Sequence, residues 1–263
     1  MPERSLRVQL VRHTGTPQDL VALGARLCYA GGTLDSLVEK ISSNDQEAFV
    51  QKVMGMGHDS VLEHASFTFL VEGVSRVLLA QLTRHRIASF SVQSQRYVSY
   101  QSGFGYIVPP AIRALGEDAV SEYQQQMAQM QDWYEGWQQK LGNAGEKSNE
   151  DARFVLPNAC ETRILMTMNA RELRHFFSLR CCNRAQWEIR ELADRIADRC
   201  GGTAAVFSGN DKTGYTFSLI SKSGDVSDLG KRLTQTLKGK GGGKDGFFQG
   251  SVNATEEEIR IFW

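Results

Sequence analysis

The sequence predicts an α+β fold: an antiparallel sheet with packed helices, followed by a small C-terminal αβ appendage. Three observations carry this reading. Period-two apolar runs at 66–71 and 162–168 mark half-buried strands. Stripes at three- and four-residue spacing mark helices around them. Strands and helices alternate without a run of βαβ units, which argues against a parallel, doubly wound sheet.

A chain of 263 residues suits one large domain, or one domain with a small addition. Its formal net charge of zero argues against a protein that binds nucleic acid along its whole surface. The opening MPERSLRVQLVRH has no apolar signal region, and no run of about 18 apolar residues occurs. A soluble, cytoplasmic chain without a membrane partner is expected. Five cysteines, Cys28, Cys160, Cys181, Cys182 and Cys200, are odd in number and lack CxxC spacing, which fits reduced thiols. His58 and His64 do not form an HExxH pair, so no metal site is expected.

Thr16-Pro17 starts the first helix, with Leu20, Leu23 and Leu27 as its stripe. Asn44 with Glu47 reads as a capping box for a second, through Phe49, Val50, Val53 and Met54. After the strand at 66–71 the spacing turns helical at Val74, Val77, Leu78 and Leu82, and runs into Arg84-His85-Arg86. Behind Pro109-Pro110 a long amphipathic helix carries Val120, Tyr123, Met127, Met130, Tyr134, Trp137 and Leu141, a core or subunit-interface stripe. Ser148 reads as the cap of a short helix that Pro157 stops. Capping boxes Asn169/Glu172 and Asn183/Gln186 open two further helices, broken at Cys181-Cys182-Asn183.

The most informative stretch is RHRIASFSVQSQRY, residues 84–97. Consecutive residues at a helix end point about 100° apart. Arg84, His85 and Arg86 therefore form either a solvated helix end, favoured by the dipole, or a fan that touches more than one ligand. Ser94 and Arg96, two apart in an extended segment, would share a face and grip a phosphate. Arg171 and His175, four apart, share a helix face. Between Lys52 and Lys140 there is no Lys, whereas Arg recurs, and Arg suits planar bidentate recognition of phosphate or carboxylate.

RHR-x-x-S here is Arg84, His85, Arg86 and Ser89, followed by Ser94 and Arg96. Around it stand GHDSVLEHASFTF (57–69), AQLTRHR (80–86), RFVLP (153–157) and NARELRHFFSLRCCNRAQWEI (169–189). In order and spacing these resemble the flavin-dependent thymidylate synthases over about residues 5–200. The resemblance implies a synthase domain at 1–202 that converts dUMP to dTMP. FAD is the implied cofactor, methylenetetrahydrofolate the carbon donor and NADPH the reductant. It implies dUMP contacts from Gln81, Leu82, Thr83, Arg84, Val92, Gln93, Ser94, Gln95, Arg96, Arg153 and Arg180. It implies FAD contacts from Ser60, Arg84, His85, Arg86, Val92, Asn169, Ala170, Arg171 and His175. Arg180 is the implied catalytic residue, and a homotetramer with shared active sites the implied assembly. Val92 stands where family members often carry Glu or Gln, so a side-chain hydrogen bond from that position is absent.

No GxGxxG or GxxxxGK[ST] loop occurs, so FAD would not sit on a Rossmann fold. None of the cysteines lies in a Pro-Cys-His context, and Ser94 has no evident adjacent base, which favours a substrate contact for it. The flavin route that the resemblance implies needs no enzyme nucleophile. From 203 the character changes. Strand-like runs at 203–207 and 215–220, a helix from about Val226 and KGKGGGKDGFFQG (238–250) resemble the DHH-associated domain that ends alanyl-tRNA synthetases. That implies nucleic-acid binding through residues 231–250, with Lys231, Arg232, Lys238, Lys240 and Lys244 on phosphates. A solvated loop on an αβ appendage is the plainer reading. A non-catalytic nucleotide- or RNA-binding protein on the same scaffold is the alternative to the enzyme.

Overall fold

The structure, a computed structural model, describes residues 1–43, 46–199, 204–220, 225–244 and 247–262. The chain opens with β1 (Arg7–His13), then α1 (Pro17–Leu27), α2 (Leu34–Ser42), α3 (Glu47–Gly55) and a 3-10 turn at Asp59–His64. β2 (Ser66–Ser75) leads into α4 (Arg76–Leu82), and β3 (Ala88–Val92) follows. Next come α5 (Pro110–Arg113), α6 (Glu117–Lys140), α7 (Glu146–Ala152) and a 3-10 turn at Arg153–Val155. β4 (Glu161–Asn169), α8 (Ala170–Arg180) and α9 (Trp187–Arg199) precede the tail. The tail holds β5 (Ala204–Asn210), β6 (Gly214–Ile220), α10 (Ser227–Thr236), β7 (Lys240–Lys244), β8 (Phe247–Val252) and α11 (Glu256–Phe262). The strands form two four-stranded sheets, ordered β1-β2-β4-β3 and β5-β6-β8-β7. The class is α+β, as expected. The sequence reading had left β1, β3, α2 and α11 unassigned.

The chain divides into two compact units, Met1–Gln9 with Leu70–Met166, and Leu10–Phe69 with Thr167–Trp263. In the first, the helical spacing expected from Val74 begins two residues later. Gly73 takes φ +69, and a Cβ there would strike the Ser5 carbonyl, so only glycine carries β2 through this kink. Ser75 then caps α4, its Oγ accepting the Leu78 N–H at 3.1 Å. The single helix expected after Pro109-Pro110 is split into α5 and α6 at Gly116, whose φ is +105. Val120, Met127 and Tyr134 of the expected stripe are buried, and Tyr134 packs with Tyr100 and Phe104. Trp137 and Leu141 remain 47% and 39% exposed, so among the described residues the far end of the stripe is only partly covered. Ser148 is not an N-cap. It lies inside α7, accepting the Ala144 N–H at 2.7 Å and donating to the Leu141 carbonyl at 3.0 Å.

In the second unit Pro17 opens α1, while Thr16 sits at φ +40 and gives no side-chain cap. The face buried is Val21, Ala22 and Ala25, not the Leu20-Leu23-Leu27 stripe, whose Leu27 is exposed. Asn44 of the expected capping box lies outside the described residues, and α3 begins after Gln46 without a side-chain cap. Asn169 does cap α8, accepting the Glu172 N–H at 2.8 Å. The Asn183/Gln186 box fails because the longer Gln186 side chain folds over the helix end itself. Its Oε1 accepts the N–H groups of Glu188 and Ile189 at 3.0 and 3.2 Å.

The tail encloses a core of its own, including Phe217, Leu219, Leu233, Phe248, Val252 and Ile259. Its glycine-rich run is not a solvated loop but the antiparallel pair β7/β8, with Gly241 opposite Gly250 and Gly243 opposite Phe248. A Cβ at Gly241, Gly243 or Gly250 would strike the opposing backbone, and one at Gly230 of α10 would enter the Phe248 ring. The glycines permit close approach rather than flexibility.

Candidate functional site

Arg84, His85 and Arg86 lie just beyond α4, which ends at Leu82, and so do not occupy its last turn. The chain turns there, with Arg84 N–H on the Gln81 carbonyl at 3.3 Å and His85 N–H on the Leu82 carbonyl at 3.1 Å. This turn separates the three side chains: His85 is buried, Arg84 and Arg86 exposed. Leu82 is fully buried core, Gln81 is half-buried, and the Thr83 hydroxyl donates to the Leu79 carbonyl at 3.0 Å.

Val92 closes β3, and Gln93 N–H donates to the Arg163 carbonyl at 2.9 Å, so this stretch is held by its backbone. Residues 94–96 are not extended as expected. The Ser94 carbonyl accepts the Val98 N–H at 3.1 Å and its Oγ accepts the Arg96 N–H at 3.2 Å, closing a turn. A serine hydroxyl offers the backbone an alternative to the strand ladder, and here that alternative wins. Gln95 is buried, its amide 3.7 Å from the Cys160 Sγ.

Arg96 meets one stripe of α7. Its Nη2 lies 2.7 Å from Glu146 and 3.2 Å from Glu150. Its Nε is buried without a hydrogen-bond partner. The Arg96 carbonyl accepts from Asn149 Nδ2 at 2.8 Å, and Asn149 Oδ1 is held by Gln138 at 2.6 Å and the Tyr134 hydroxyl at 3.3 Å. Arg153 Nε donates to the Glu150 carbonyl at 3.1 Å. Two expected dUMP residues, Arg96 and Arg153, therefore engage the same residue, Glu150. The sequence reading missed Glu146, Asn149 and Glu150. Their spacing with Arg153 (i, i+3, i+4, i+7) is one helix face, a signal available in the sequence.

Of the expected flavin residues, those in the second unit lie on the 3-10 turn (Ser60) and on α8 or its cap (Asn169, Ala170, Arg171, His175), while Arg84, His85, Arg86 and Val92 belong to the first unit. Ala170 N–H donates to the Ala65 carbonyl at 2.8 Å, fixing the helix to the end of the 3-10 turn. Arg171 pairs with Glu63, and Arg174 with Asp59 at 2.9 Å. Ser60, on that same turn, is exposed, as is His175. Arg180, half-buried, ends α8. Behind it the Cys181 thiol is pushed up by burial and by the neighbouring Asp194, whose own carboxyl burial also raises. Burial lifts the Cys160 thiol from 9.0 to about 11. Neither buried thiol is a thiolate at neutral pH. Cys28 and Cys182 are unbridged too, and Cys200 lies outside the described residues.

Residues 9–204 match the family model described as thymidylate synthase complementing protein. The flavin-dependent thymidylate synthase of Geobacter sulfurreducens is 53% identical over 200 residues, 76% of this chain and 84% of that protein. This chain belongs to the flavin-dependent thymidylate synthase family. The family member from Nitratidesulfovibrio vulgaris is 46% identical over 208 residues, again 76% of this chain and 84% of its own. A UMP/dUMP methylase, PolB, from Streptomyces cacaoi, solved with 5-Br dUMP, superposes with a TM-score of 0.59 at 26% identity. That match covers 74% of this chain and 89% of the methylase. Residues 182–262 match the DHHA1 domain, so the two family models overlap across α9. All four motif segments fall inside the synthase match. No helix among the described residues is long and apolar enough to cross a membrane.

Proposed function

We propose that the chain methylates dUMP to dTMP, with carbon from methylenetetrahydrofolate and electrons from NADPH delivered through FAD. The observation that carries this is Arg96: a buried, unpartnered Nε beside a terminal nitrogen already bound to carboxylates, on the α7 stripe that leads to Arg153. An orphaned buried guanidinium N–H loses its hydration without return, and a phosphate oxygen would satisfy it. Family membership supplies the reaction class.

The flavin set fits on donor chemistry. Arg84, Arg86, Arg171 and His175 are exposed groups suited to a pyrophosphate, and α8 contributes the positive end of its dipole. When bound, FAD supplies the hydride. The protein's own work is orientation and electrostatics. Arg96, Arg153, Arg84, Gln81 and the Ser94 turn hold dUMP, and Gln93 contributes backbone where Val92 has no polar side chain. Arg180 stabilises negative charge that grows on uracil N3 and O4. Burial pushes the Cys160 and Cys181 thiols up, which agrees with a route lacking a covalent enzyme adduct at either.

In this reading, as the family resemblance implies, the chain acts as a cytoplasmic homotetramer with shared active sites. Residues 1–202 form the synthase domain and 203–263 the appendage. Supporting that boundary, the tail's core cluster among the described residues runs from Phe207 to Phe262, although β5 also meets α8. Lys231, Arg232, Lys238 and Lys240 are exposed around the glycine hairpin and would bear nucleic-acid contacts. The test is spectroscopic. Purified protein should show the visible absorption of bound flavin, bleached by NADPH under anaerobic conditions. A colourless protein that takes up no added FAD would sink the reading.

A further inference from the structure

We infer that α7 is a substrate-displaced latch: Glu146 and Glu150 stand in for the phosphate of dUMP on Arg96 and leave that arginine when the nucleotide binds. This rests on the reading of Arg96 as a phosphate-binding residue. The two carboxylates converge on one nitrogen, Nη2, at 2.7 and 3.2 Å. They outweigh the guanidinium charge by one unit, so a phosphate dianion arriving beside them would meet net repulsion. Phosphate and both carboxylates therefore exclude one another at Arg96.

The latch is built to open cheaply. Both carboxylate side chains are nearly half exposed, 44% and 45%, and exposed pairs of this kind are individually weak. A phosphate that takes Nε as well as a terminal nitrogen makes the stronger, bidentate pairing. The backbone anchor, in contrast, is built to stay. Asn149 is buried and ties the Arg96 carbonyl to Tyr134 and Gln138, which are buried as well. The main chain at Arg96 thus stays fixed while its guanidinium exchanges partners. Arg153 keeps its place through the exchange, because its Nε rests on the main-chain carbonyl of Glu150, which the side-chain release leaves in position. Glu146 and Glu150 are positioning residues: they set how tightly phosphate is held without touching the reacting atoms.

The experiment compares dUMP with deoxyuridine, which lacks the phosphate, by titration calorimetry on the flavin-loaded full chain. In the Glu146→Gln/Glu150→Gln variant, dUMP should bind roughly three- to tenfold tighter, each single change giving part of the gain. Deoxyuridine affinity should not change. A double variant that binds dUMP no better, or more weakly, overturns the latch, as does one that tightens deoxyuridine equally. If the unaltered chain binds no dUMP at all, the substrate reading falls, and the latch with it.

Discussion

The first sheet sends its strands into residues proposed to hold substrate and flavin, whereas the second sheet keeps its sequence for its own packing. β3 runs into Gln93 and the Ser94–Arg96 turn, and β4 into Asn169, whose side chain caps the helix bearing Arg171 and Arg180. The second sheet ends in glycines pressed against backbone and in a core closed by α10 and α11. Arginines tied to carboxylates, half-buried Arg96 and exposed Arg174, mark the former, and exposed lysines around a hairpin mark the latter. An arginine that already holds a carboxylate has the geometry for another planar or tetrahedral anion. In the proposed reading the contrast assigns catalysis to the residues that follow the first sheet and leaves the tail a separate role.

The largest expected effect lies at Arg180. Charge grows on the uracil as the reaction proceeds, so Arg180→Ala should lower kcat by roughly 10²-fold or more. Lys at this position should restore only part of the rate, because an ammonium lacks the planar fork. Flavin content is measured first, so that cofactor loss is not read as a catalytic defect. Arg96 comes next. Its phosphate contact is present in ground and transition states alike, so Arg96→Ala should raise the KM for dUMP by about 10- to 100-fold with little change in kcat. A pure KM effect at Arg180 with abolished turnover at Arg96 would reverse the two roles.

The arginines were legible because their clustering is a sequence property. So were β4, with Thr162, Ile164, Met166 and Met168 all buried, and the Asn169 cap. What failed were readings that depend on competition between local bonds. Ser94 turns the chain with its own hydroxyl, Gln186 displaces Asn183 as the cap, and Ser148 works from inside its helix. Which polar side chain wins the backbone is decided by packing that the sequence does not display. For the glycine run the DHH-associated reading holds and the solvated-loop reading fails, since close backbone approach and free solvation call for the same residue. A helix begun at Ser148 leaves out Glu146, and nothing in the sequence shows that Glu150 on the same face meets Arg96.

Smaller effects sharpen the contrast. Replacing all five cysteines with Ser or Ala should leave turnover within about tenfold, because no thiolate adduct forms. The folded Cys160 thiol ionises near 11 against the usual 9.0, so its contribution to stability is intact below pH 9.0 and fades as pH rises towards about 11. Thermal melts across that window should show a shallower alkaline loss for Cys160→Ala than for the parent. The smallest effect on synthesis is expected from the tail. Gly230→Val would drive a side chain into the Phe248 ring and should expose the tail to limited proteolysis, while dTMP formation stays unchanged. Loss of bound flavin in that variant would instead make the tail part of the synthase fold.

The central claim, that the elements around the first sheet make dTMP, is tested most directly by following labelled dUMP with the flavin-loaded chain and omitting one component at a time. The account predicts dTMP only when methylenetetrahydrofolate and NADPH are both present, at the same rate in the parent and in the Gly230→Val variant. No dTMP from a flavin-loaded parent in the complete mixture would contradict it.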